Sequence, residues 1–146
     1  MSSTLLSKIT TTTAGLSSTI LRIPVGIILM GHGSQKLFGM FGGYGLAGTG
    51  QYMDSIGIHP GELMAALAGS AEFFGGLALL IGLLVRPATV FIGFTMLVAI
   101  FTVHISHGLF IQNGGYEYAL TLIVICVSLF ISGAGPLSVD KALSNK

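Results

Sequence analysis

Glu72 sits in the middle of a run, Gly61 to Val85, dominated by Leu, Ala, Gly and Phe. A run of ~20 apolar residues spans a bilayer core. A carboxylate at such a depth costs at least ~2.5 kcal/mol on insertion scales, so it needs a counter-charge, a proton or a task. Arg22 is the expected counter-charge, and the two residues together form either a buried ion pair or a proton site. A second set of residues has another chemistry. His32 and Lys36 stand four apart, on one face of a helix. An imidazole exchanges protons near neutral pH, and an ammonium attracts an oxyanion, so the two suit a small anion or a quinone carbonyl. His104, His107 and Glu117 are the remaining candidates for that ligand- or quinone-binding site.

Each of these residues also has a plainer reading. His104, His107, Glu117 and His32 could supply N and O ligands to a metal. The chain has no HExxH or comparable signature, so wet, hydrogen-bonded histidines at a membrane interface are preferred and no metal is expected. A haem between His32 and His104 would find little room against small packing residues. Lys36 could snorkel to headgroups, and an Arg22–Glu72 pair could serve helix register alone. Cys126, the single cysteine, excludes an internal disulfide or CxxC relay and reads as a small hydrophobe.

These residues need helices to hold them. Of 146 residues only 8% are charged, against ~25% in soluble domains, and mean hydropathy is +0.90. That composition describes an integral membrane protein. Net charge is +1 with scattered basic residues, which argues against a nucleic-acid partner. The expected fold is an all-α membrane protein, a compact bundle of four transmembrane helices. Residues 1–17 read as a polar or interfacial tail without the apolar core of a signal peptide, 18–136 as the transmembrane domain, and 137–146 as a polar C-terminal tail.

The spans are predicted at Ser18–Phe38, Gly61–Val85, Pro87–His107 and Tyr116–Ser132. Pro24 would fall in the first turns of its helix, where it is tolerated. The Gly-rich connection 39–60 is too polar to cross. Arg86-Pro87 marks a tight turn, and Gly133-Ala134-Gly135-Pro136 ends the last span. Lys8, Arg22, Arg86, Lys141 and Lys146 fall on the side of the termini and Lys36 on the other. The positive-inside rule then puts both termini in the cytoplasm.

Helical phase predicts which faces turn inward: Arg22, Gly26, His32, Gly33 and Lys36; Ala65, Gly69, Glu72 and Gly76; Thr89, Gly93, His104 and His107; Glu117, Thr121, Ser128 and Ser132. Small and polar residues at these positions suit close helix packing. At ~1.5 Å per residue, Glu72 lies ~16 Å from the outer end of its span. The expected result is a polar pocket in the outer half, closed below by Arg22 and Glu72.

The same residues carry a family resemblance. Arg22 with Gly31-His32-Gly33-Ser34-Gln35-Lys36-Leu37, then Glu72-Phe73-Phe74-Gly75-Gly76 and Gly82-Leu83-Leu84-Val85-Arg86, resembles the DoxX family of small four-helix membrane proteins. Gly114-Gly115-Tyr116-Glu117-Tyr118-Ala119 and Gly133-Ala134-Gly135-Pro136-Leu137-Ser138-Val139-Asp140 extend the likeness from about Leu21 to Asp140. The resemblance implies the bacterial inner (plasma) membrane, multi-pass, surrounded by lipid. Members include a membrane subunit of a thiosulfate:quinone oxidoreductase and proteins associated with redox defence complexes. It therefore implies an accessory or quinone-linked subunit of a membrane redox complex, with other membrane or redox subunits, or further copies of itself, as partners. No cofactor motif lies in the chain; quinone is the cofactor class consistent with that role. A structural or assembly subunit, and a carrier of protons or small molecules, are the alternatives. Whether the chain is itself an enzyme is left open.

Overall fold

The computed structural model describes residues 5–144; the ends of the two expected tails, 1–4 and 145–146, lie outside the described residues. All regular structure among the described residues is helical: α1 (Leu5–Thr10), α2 (Leu16–Phe38), α3 (Gly45–Ser55), α4 (Gly61–Ile81), α5 (Val85–Ala99), α6 (Glu117–Ser132) and α7 (Val139–Ser144). Three helical stretches are long and apolar enough to cross a membrane: Leu16–Phe38, Gly61–Ile81 and Val85–His107. The third continues α5 through a π turn at Ile100–His104 and a 3-10 turn at Ile105–His107. The expected fourth span is apolar but has 16 residues, ~24 Å of helix, less than the ~30 Å of a bilayer core.

Helices α2 and α4 form the tightest pair, running antiparallel through their glycines. A Cβ on Gly26 would stand 2.6 Å from the Gly76 carbonyl oxygen, and one on Gly33 would stand 2.5 Å from the Phe73 backbone nitrogen. Only glycine permits this backbone contact. Ala65, Gly69, Glu72 and Gly76 are all buried, as their periodicity predicts. The apolar core joins Val25 and Leu29 of α2 to Leu79 of α4, Ile92 and Met96 of α5, and Leu122, Cys126 and Leu129 of α6.

Several local expectations are corrected. Helix α2 starts at Leu16, so Pro24 lies in its third turn. The Gly-rich connection contains α3, which packs on α4 and α2. The turn between α4 and α5 is Gly82–Leu84, and Arg86-Pro87 already belongs to the first turn of α5. Proline is well placed there, because first-turn amides have no helical partner. Asp140 closes this corner, accepting hydrogen bonds from Leu84 N (2.8 Å) and Val85 N (3.0 Å). The inward face of α6 is also different: Ala119, Leu122, Cys126 and Leu129 are buried, whereas Thr121 and Ser128 are exposed. Polar residues on α6 do not require a polar interior. Thr121 Oγ1 donates to the Glu117 carbonyl and Ser132 Oγ to that of Ser128, within the helix itself.

Candidate functional site

The partner of Glu72 is Lys36. Lys36 Nζ donates to Glu72 Oε2 at 2.6 Å, and the carboxylate side chain is 6% exposed. The pairing follows from the α2–α4 register. Gly69 abuts Lys36 and Leu37, so Glu72 comes to lie on the lysine's turn. Lys36 is thereby engaged by a carboxylate of the chain itself.

Arg22 does not reach Glu72. The antiparallel register sets it level with Leu79 and Leu80, ~10 Å further along α4. Its guanidinium is buried, with Nη1 donating to the carbonyls of Leu79 and Leu80 at 2.7 Å and Nε to that of Ala134 at 2.8 Å. Nη2 donates to the Leu137 carbonyl. Arg22 therefore ties the carboxyl end of α4 to the segment following α6, where helix dipoles favour a cation.

One turn before Lys36, His32 packs its ring against Tyr118 of α6, with centroids 5.7 Å apart and planes at 48°. Tyr118 is also within electrostatic reach of Glu72. A shallow cavity of about 190 Å³ opens beside His32, lined also by Ile28, Gly31, Gln35 and Phe41. Gln35 Nε2 donates to the Phe41 carbonyl at 3.3 Å, folding the loop after α2 over the cavity. Neither ring nitrogen of His32 has a hydrogen-bond partner among the described residues.

His104, His107 and Glu117 lie at the α5–α6 connection and bind its backbone. His104 Nδ1 meets the Gly114 carbonyl at 2.6 Å, and His107 Nδ1 meets that of Val103 at 2.9 Å. Glu117 Oε1 accepts from Ile111 N at 2.7 Å. No hydrogen bond, ion pair or ring contact joins this group to His32 or Lys36 among the described residues. No three His, Cys, Asp or Glu side chains of the described residues are grouped so as to hold a metal ion.

Sequence reasoning passed over three residues. Tyr118 stands next to Glu117 and reaches His32 because α6 is rotated from its expected phase. Asp140, in the expected C-terminal tail, is 1% exposed. Asp54 Oδ1 accepts from His59 Nδ1 at 2.7 Å and from Gly61 N at 2.8 Å, capping α4 from α3. An Asp five residues before a His-Pro-Gly helix start was the available signal.

Comparison with known proteins agrees with this architecture. The DoxX family model matches residues 17–105, from α2 to the turns that prolong α5. The chain is 39% identical over 103 residues to "Inner membrane protein YqjF" of Escherichia coli (strain K12), covering 70% of this chain and 77% of that protein. It is 32% identical over 125 residues to "Putative oxidoreductase CatD" of Bacillus subtilis (strain 168), covering 86% and 85%. No solved structure shows significant similarity. With its apolar helices in contact with lipid, the chain is a membrane protein and belongs to the DoxX family.

Proposed function

We propose that the chain is a four-span protein of the bacterial inner membrane, both termini cytoplasmic, acting as an accessory, quinone-linked subunit of a membrane redox complex. The observation that carries this reading is His32, a histidine with both ring nitrogens unengaged, beside a partly apolar cavity on α2. His104, His107 and His59 each have Nδ1 in contact with a protein acceptor. The oxidoreductase name of the Bacillus relative supports the redox class.

The cavity fits a quinone head in chemical character. Ile28 and Phe41 offer apolar walls, while His32 and Gln35 offer polar groups for carbonyl oxygens. A bound quinone would supply the electron-accepting chemistry. The chain's own contribution is to position it: Tyr118 braces the imidazole, and the Lys36–Glu72 pair fixes the next turn of α2 against α4. Four spans are supported by the packing of α6 along α5. A short span is accommodated by local thinning of the bilayer.

Quinone retained through purification in mild detergent tests the reading, measured by extraction and native mass spectrometry. His32→Leu should lower occupancy by up to about tenfold, the net value of one good hydrogen bond. Unchanged occupancy in that variant would leave a structural or assembly subunit as the better reading. The engagement of Lys36, Glu72 and Arg22 in helix-to-helix bonds favours that second reading.

A further inference from the structure

We propose that the groove between α5 and α6 is a binding site for one anionic phospholipid, an acyl chain lying between the helices and the phosphate at Arg86 and Lys8. The groove has a volume of about 370 Å³ and is walled by Thr89, Gly93 and Leu97 of α5 and Cys126, Val127 and Phe130 of α6. From Thr89 to Leu97 it runs ~12 Å along the helix. Gly93 keeps it open, since a Cβ there would meet only Cys126 Cβ, at 3.8 Å.

Its two ends differ in charge. At the Thr89–Phe130 end, Arg86 Nε donates to the Phe130 carbonyl at 2.8 Å and Nη2 to that of Ile131 at 3.1 Å. Nη1 donates to the Lys8 carbonyl at 2.9 Å, which brings α1 and its lysine to the groove mouth. These bonds leave guanidinium N–H groups free for a phosphate. Neither Arg86 nor Lys8 pairs with a carboxylate among the described residues. Asp140, near in the fold, is buried and committed to the Leu84 and Val85 amides. The other end, at Leu97 and Ile123, is apolar. Two cations above an apolar slot complement an anionic lipid. They offer nothing to a neutral quinone tail, and a two-fold copy packed here parallel to the first would bring like charges together. The inference does not depend on a quinone at His32.

The test is native mass spectrometry of the detergent-purified protein after incubation with equimolar phosphatidylglycerol and phosphatidylethanolamine. One phosphatidylglycerol should be retained in preference. Lys8→Gln should weaken retention about fivefold, one basic residue's share of anionic-lipid attraction. Gly93→Leu should fill the groove and abolish retention, with thermal melting in lipid-free detergent unchanged for both variants. His32→Leu should leave lipid retention as it is, which separates this site from the quinone reading. Equal retention of the two lipids would overturn the proposal. So would undiminished phosphatidylglycerol on Gly93→Leu, or a dimer that Gly93→Leu converts to monomer.

Discussion

Lys36 reaches across the α2–α4 seam to Glu72, ammonium to carboxylate at 2.6 Å, but the two sides of the pair are unequally buried: 28% of the lysine side chain is exposed against 6% of the glutamate. The lysine can withdraw toward solvent or headgroups on its flexible stem, whereas the glutamate is held within the helix pair.

That asymmetry predicts the order of damage. Lys36→Met strands a buried carboxylate and should cost about 3–5 kcal/mol, the scale for breaking a buried pair. Glu72→Gln should cost less, because Lys36 can swing out. Lys36→Met combined with Glu72→Leu should recover much of the single-mutant loss. Unfolding equilibria in detergent measure all three. A larger effect from Glu72→Gln than from Lys36→Met would contradict the asymmetry.

Arg22 is predicted to act as a helix tie. It donates to the carbonyls of Leu79, Leu80, Ala134 and Leu137. Lysine has fewer donors and lacks the planar fork. Arg22→Lys should therefore lose at least one charge-assisted bond, about 1.5–3 kcal/mol. Glu72→Gln should add to this independently, since the two residues share no partner. Strong coupling in a double-mutant cycle would point to a direct Arg22–Glu72 contact.

The positions of the long helices and the inward faces of α2 and α4 were legible in the sequence because small residues recur there at helical spacing, whereas α3 was hidden in a Gly-rich connection. Pairing was not. Arg22 and Lys36 both lie on the α2 face that meets Glu72, and only the α2–α4 register chooses between them. That register is set by backbone contacts at Gly26, Gly33 and Gly76, to which charge patterning gives no clue. The phase of α6 misled for another reason: Thr121 and Ser132 turn their hydroxyls to carbonyls of their own helix, and Ser128 is exposed, so polarity there does not mark the interior. Distance along the chain hid Asp140 from the α4–α5 corner that it caps.

The glycine seam can be tested by contrast. Gly33→Ala places a Cβ 2.5 Å from Phe73 N and forces the backbones apart, while Gly31→Ala finds nothing within 4 Å. Gly33→Ala should destabilise by about 1–3 kcal/mol. Gly31→Ala should be neutral or stabilising by up to about 1 kcal/mol, the helix-propensity gain. Equal melting temperatures in the two variants would show that the seam is looser than described.

Topology follows from the basic residues. With Lys8, Arg22, Arg86 and Lys141 toward the termini, alkaline phosphatase fused after Gly114 should be active and a fusion after Lys141 inactive. Activity from both fusions would mean that α6 fails to cross, leaving three spans.

The α3–α4 corner should respond to acid. The hydrogen bond from His59, then that from the Gly61 amide, hold the Asp54 carboxyl below the usual carboxylate range. A carboxyl whose folded pKa is depressed contributes stability that is present above its unfolded value of ~3.9. That contribution is lost as pH falls through the lower, folded value. Protonation removes the charge that caps Gly61, so the first turn of α4 should loosen only in that acidic window. Carbon-13 titration of the Asp54 carboxyl should give a midpoint below ~3.9. His59→Ala should move the midpoint upward, since it removes the largest cause of the shift. Asp54→Asn should abolish the acid step in Gly61 amide protection. A wild-type midpoint at or above the ordinary aspartate value would show that the cap does not form in solution.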